Sequence, residues 1–180
     1  MKRFSVLLGS VLLMTACNRA AVPVKNGALV QGFNHQIRDR AGVEVGTVGS
    51  PGVDAEGLRL TIRVHDLPPG VHGMHVHEVG VCDPPAFEGA GAHWNPAGRK
   101  HGHKNPEGPH AGDLGNLTVK ANGKGSAEVL IAKGTMGPAP SGLAIVIHAK
   151  RDDEKTDPSG DSGDRIACGA VFRAGAFPAL

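Results

Sequence analysis

The chain has 180 residues, 19 of them basic and 17 acidic, with 27 glycines, 13 prolines, no tyrosine and few aromatics. That length suits one domain with a real core, and the composition leaves that core to Val, Leu, Ile and Ala, which favours an all-β fold with many turns. Two of the basic residues, Lys2 and Arg3, lie in a segment that reads as removable, and without them 17 basic residues face 17 acidic ones. The charge balance therefore excludes a nucleic-acid partner argued from net charge.

Residues 1–16 read as an export signal. Lys2 and Arg3 form its positive start, and Ser5 to Met14 is an apolar run too short to span a bilayer. Thr15-Ala16-Cys17 follows and resembles the bacterial lipobox, in which cleavage leaves a lipid-modified cysteine, although Met14 stands where leucine is usual. Residues 17–27 are then a short tether, and residues 28–180 form the domain. A lipid on Cys17 holds the domain on a membrane surface without spanning it. An ordinary signal peptide cleaved nearby is the competing reading. Either way the chain is expected to be exported, to the periplasm or cell envelope. Cys82 and Cys168 remain, and in an exported domain two remaining cysteines are expected to pair, with two free thiols as the alternative.

Period-two alternation marks the strands. Leu58, Leu60, Ile62 and Val64 fall on one face, with Arg59, Thr61, Arg63 and His65 on the other, as in a half-buried antiparallel strand. Leu117–Lys120 alternates and runs into Asn122-Gly123, a strong hairpin signal, with a return strand over about 126–132. Further strands are expected over 28–38, 43–49, 71–77, 142–149 and 167–173. Eight strands with turns between them predict an antiparallel Greek-key β-sandwich or barrel. The segments 78–113 and 150–166 are turn-rich and read as two long functional loops.

Most of the chain's 10 histidines fall in one constellation. In Gly73-Met74-His75-Val76-His77, His75 and His77 share one strand face while Met74 and Val76 point to the core. In Ala144-Ile145-Val146-Ile147-His148, His148 lies opposite Ile145 and Ile147, again away from a core. Between these strands come His93, His101, His110 and Asp113. Three histidines and a carboxylate suit tetrahedral zinc, and imidazole also suits copper. An imidazole has two nitrogens, so one histidine can serve two metals; His93, between the strand pair and the later loop ligands, is the natural choice. His35, His65 and His103 read as structural or solvent-facing, and His72 alternates away from His75 and His77.

These residues carry a resemblance to the bacterial copper/zinc superoxide dismutase family, of a lipoprotein type. The matching stretches are Pro69–Glu78, Gly91–Pro96, Arg99–Gly102, His110–Asn116 and Arg165–Gly169, and the likeness covers about 28–173. The resemblance implies one copper ion on His75, His77, His93 and His148, and one zinc ion on His93, His101, His110 and Asp113. It implies that Arg165 guides and docks superoxide, and that Asp152 links a copper histidine, His75, to a zinc histidine, His101. It also matches Cys82 and Cys168 to a disulfide. The expected activity is dismutation of superoxide to oxygen and hydrogen peroxide, protecting the envelope, with Arg165 and His93 as the catalytic residues. Ala149 stands where many relatives carry glutamate; the segment 82–92 differs from them too, and because that region often affects subunit contacts in the family, the oligomeric state, a homodimer included, stays open. Two rivals are a metal buffer or chaperone without turnover, and a zinc hydrolase. The complete ligand set argues against the first, and a zinc closed by four protein ligands argues against the second.

Overall fold

The computed structural model describes residues 32–175. The export signal, Cys17, the tether and the first residues of the expected strand 28–38 lie outside the described residues. Eight strands follow in order: β1 Phe33–Asp39, β2 Glu44–Ser50, β3 Gly57–Val64, β4 Gly70–His77, β5 Asp113–Val119, β6 Gly125–Ala132, β7 Gly142–His148 and β8 Arg165–Arg173. They close into an antiparallel barrel in the order β1-β2-β3-β6-β5-β4-β7-β8. The connections from β3 to β4 and from β6 to β7 pass over intervening strands, as a Greek key requires. The expected all-β, eight-stranded fold is borne out, as a closed barrel. Closure removes free sheet edges.

The alternation read on β3 is real. Leu58, Leu60, Ile62 and Val64 are buried, while Arg59 and Arg63 are exposed. β3 pairs with β6 along its whole length, from Gly57 opposite Ala132 to Val64 opposite Gly125. β5 and β6 meet through a turn at Ala121–Lys124, where Gly123 has φ 75° and Lys120 and Lys124 close the hairpin by hydrogen bond.

Two strands begin earlier than alternation predicts. The strand expected over 117–120 starts at Asp113, because β4 holds it there: His75 lies opposite Asp113 and Gly73 opposite Asn116. The strand expected from 167 starts at Arg165, which pairs with His148 of β7. Both extensions put a polar functional residue on a strand end, where apolar periodicity carries no signal.

β7 is buried on both faces. Leu143, Ile145 and Ile147 enter the barrel core with Met74 and Val76. Ala144 and Val146 instead join a small second cluster with Phe87, Ala90 and Cys168. Cys82 and Cys168 form a disulfide with a Cα–Cα distance of 5.5 Å. Phe87, fully buried in that cluster, and the disulfide together clamp the start of the first long loop onto the outside of β7 and β8.

Candidate metal centre

The site is assembled on the outer face of β4 and β7 and roofed by the two long loops. His75 pairs with Val146 and His77 with Ala144, so the even-numbered face of β7, which ends in His148, is the face that carries His75 and His77. His93 reaches the same place because its backbone forms a bridge to that of His77. Gly112 then packs between Val76 and Trp94, donating to the Trp94 carbonyl and accepting from Val76 N–H. A side chain there would collide with the Val76 carbonyl oxygen. That close approach draws His110 and Asp113 under β4. All seven residues singled out from the sequence are buried, His75 and His101 completely. The outward face inferred for the strand histidines is correct relative to the barrel, but the loops cover it.

The hydrogen bonds fix which nitrogen of each ring is free. His77 donates from Nδ1 to the Gly91 carbonyl at 2.9 Å, and His148 from Nδ1 to the Gly163 carbonyl at 2.9 Å. His75 uses Nε2 toward Asp152 Oδ2 at 2.7 Å. The opposite nitrogens, His75 Nδ1, His77 Nε2, His93 Nε2 and His148 Nε2, are buried without a hydrogen-bond partner among the described residues. An unpaired buried polar atom costs free energy. Here all four converge, lying within 4.8 Å of one another. Burial holds His75, His77 and His148 neutral in the metal-free chain, lowering them to about 3, 2 and 4. Burial likewise lowers His93. Neutral imidazoles offering convergent lone pairs fit a copper ion.

A second set adjoins the first. Asp113 Oδ1 lies 3.0 Å from His93 Nδ1, 3.0 Å from His101 Nδ1 and 3.2 Å from His110 Nδ1. Its other oxygen accepts from the backbone N–H of Gly102 and His110. Burial alone would raise the Asp113 carboxyl, but its bonds with His101, His110, His93 and Gly102 hold it far below the usual range. Distance alone also groups His75 with His93, His101 and Asp113. Because His75 already commits Nε2 to Asp152 and Nδ1 to the first set, His110 is the better third imidazole. Three imidazoles and one carboxylate fit a zinc ion. His93 is the one ring with a nitrogen in each set.

Asp152 joins the two sets. Its Oδ1 lies 3.0 Å from His101 Nε2 while Oδ2 meets His75. Burial pushes His101 down, but Asp113 and then Asp152 outweigh it and raise the ring to about 9 in the metal-free chain. Gly160 covers this contact at φ 63°, and a side chain there would collide with Asp152 Oδ1. Asn116 clasps the backbone of Asp152 at both ends: its amide donates to the Asp152 carbonyl at 3.0 Å and accepts from Asp152 N–H at 2.8 Å.

Arg165, opposite His148, turns its guanidinium toward the first loop. Nη1 donates to the Phe87 carbonyl at 2.6 Å and Nη2 to the Gly91 carbonyl at 2.7 Å. Gly91 thus holds both Arg165 and His77 of the first set. Sequence reasoning missed Phe87, the Gly91 carbonyl and the Asn116 clasp. Gly91 and Asn116 had left a trace only as ends of the matching stretches Gly91–Pro96 and His110–Asn116. Of the histidines set aside, His72 is buried, facing the carbonyls of His148 and Pro68 at 2.8 and 2.9 Å. His103 faces the Asp113 carbonyl at 2.9 Å. His35 and His65 lie outside the cluster, facing the Ala170 carbonyl and Asp66.

The family model for copper/zinc superoxide dismutase matches residues 45–171. A superoxide dismutase-like protein, YojM, of Bacillus subtilis is 40% identical over 161 residues, covering 84% of this chain and 82% of that one. Copper-zinc superoxide dismutase 2 of Aquifex aeolicus is 37% identical over 186 residues, covering 95% and 99%. Among solved structures, a Bacillus subtilis SOD-like protein superposes with a TM-score of 0.69 at 40% identity, covering 77% of this chain and 97% of that one. The Cu/Zn superoxide dismutase of Brucella abortus gives a TM-score of 0.64 at 31% identity, covering 78% and 99%.

Proposed function

The chain belongs to the copper/zinc superoxide dismutase family, and we propose that its dismutation of superoxide is carried out at the paired histidine cluster. His75, His77, His93 and His148 would hold copper, and His93, His101, His110 and Asp113 would hold zinc. The observation that carries this reading is the convergence of four unpartnered buried ring nitrogens beside a carboxylate ringed by three imidazoles. Copper held there would supply a one-electron couple able to exchange electrons with superoxide in both directions, and zinc would supply fixed charge.

The chain's residues do the rest. Arg165 keeps a fixed positive charge beside His148 and His77, and its two backbone bonds leave other guanidinium donors for a small anion. His93 holds a proton at Nε2 in one half of the cycle and gives it up in the other. Two superoxide ions and two protons yield one oxygen and one hydrogen peroxide. The hydrogen bonds of His75, His77 and His148 keep the opposite nitrogens as lone-pair donors.

The reading extends to place. A signal over 1–16 and a lipid on Cys17 would hold the domain at the cell envelope, where it would remove superoxide arising outside the cytoplasm. The signal pattern and the Cys82–Cys168 disulfide support this, because disulfides persist in oxidising compartments. The test is superoxide consumption by the full chain after loading with copper and zinc, with metal content measured on the same sample. The expected result is rapid turnover at one copper and one zinc per chain. Full metal loading without turnover would favour a metal buffer instead.

A further inference from the structure

Asp157 stands outside the assigned ligands and outside the Asp152 link, yet it bonds one residue of the zinc set and lies near another. Its Oδ1 accepts the backbone N–H of His101 at 2.7 Å. The same oxygen lies 4.0 Å from His110 Nε2, the ring nitrogen that faces away from Asp113. Its Oδ2 lies 3.6 Å from Lys100 Nζ, on the residue just before His101. If His110 gives Nδ1 to a metal, Nε2 must carry the proton and points a partial positive charge outward. Among the described residues, Asp157 is the carboxylate within ion-pair distance of that nitrogen.

We propose that Asp157 is a positioning residue for zinc, a second outer carboxylate that fixes His110 in its Nδ1-donating form and anchors the His101 backbone. The inference rests on the zinc set assigned above. Partners of metal-bound histidines orient the ring and raise its basicity even though they never touch the metal. Asp152 serves His101 in this way from one side. Asp157 serves His110 from the other, and both belong to the loop between β7 and β8. The zinc ligands are therefore gripped from outside by a segment that supplies none of them.

Titration of the metal-free full chain with zinc, in competition with a chromophoric chelator, tests this. Asp157→Asn keeps an oxygen for the His101 N–H and removes the charge. It is expected to weaken zinc binding about tenfold, the lower end for such outer partners, while the thermal midpoint of the metal-free chain stays unchanged. Glu107→Gln removes the same charge from an exposed site in the first loop and is expected to leave the affinity unaltered. Equal zinc affinity in Asp157→Asn and the unaltered chain overturns the proposal. So does an equal loss in Glu107→Gln, which would make the effect one of bulk charge, and so does a lowered metal-free midpoint, which would make the role merely structural. Failure of the unaltered chain to bind zinc would overturn the zinc-site reading itself.

Discussion

At the scale of single residues, the first set depends on each of its four rings having one nitrogen committed to the protein and one left over. Carbonyls of Gly91 and Gly163 and the carboxylate of Asp152 make that choice for His77, His148 and His75. Arg165 is held by the same logic, through Phe87 and Gly91. Arg165→Ala is expected to lower kcat/KM for superoxide about tenfold or more and to flatten its dependence on ionic strength, because charge focused at an approach path raises on-rates by roughly 10 to 1,000-fold. Stopped-flow rates across a salt series provide the check. An unchanged rate with an unchanged salt slope would remove Arg165 from the catalytic account. Arg165→Lys keeps the charge and loses the planar fork, so it should fall between. The sequence made the seven clustered residues visible through their chemistry and spacing. It did not make the Gly91 carbonyl visible, because any residue supplies a carbonyl.

At the scale of elements, β4 and β7 are rigid because each is pinned on one face by the barrel core. Met74, Val76, Ile145 and Ile147 are fully buried there, and the histidines project from the opposite face. The loop from Cys82 to Gly91 has no such sheet pairing and is fixed instead by Phe87 and the disulfide. Replacing both Cys82 and Cys168 with serine should lower the stability of the folded chain by about 4 to 5 kcal/mol in the chain-entropy account, given a sequence separation of 86. Urea midpoints read that loss. The same variant should also lose dismutase rate, because the loop carries both carbonyls that hold Arg165. Full activity in a stably folded double variant would show that Arg165 does not depend on that latch.

At the scale of the whole molecule, the buried cluster ties stability to pH. His75, His77 and His148 have folded pKa values lowered mainly by burial, to about 3, 2 and 4. Their contribution is complete above the unfolded value of about 6.5 and is lost as pH falls below it. His101 has the opposite sign. Although burial opposes it, Asp113 and Asp152 raise it to about 9. Its contribution is complete below about 6.5 and is lost as pH rises through the folded value. The metal-free chain should therefore be most stable near neutrality and weaken on both sides, while loading with copper and zinc, which keeps every ligand ring from taking a proton, removes the alkaline decline due to His101 and leaves the acid decline at least as steep. Denaturant midpoints of the two forms over that range decide it. A metal-free profile with no alkaline decline beyond that of the loaded chain would mean that His101 does not titrate as its surroundings dictate.

The sequence by itself determined the fold class, the strands with clear alternation and the identity of the clustered histidines. Those features are written in side-chain type and period, which β3 and β4 display residue by residue. Only the tertiary structure decided which nitrogen of each ring is free, where β5 and β8 begin and how Arg165 and Asp152 are held. Each of those depends on backbone groups brought close from distant parts of the chain: Gly91 on His77, Gly163 on His148, Asn116 on Asp152. Backbone amides and carbonyls are common to nearly all residue types, so their positions emerge only once the barrel closes and the loops fold across it.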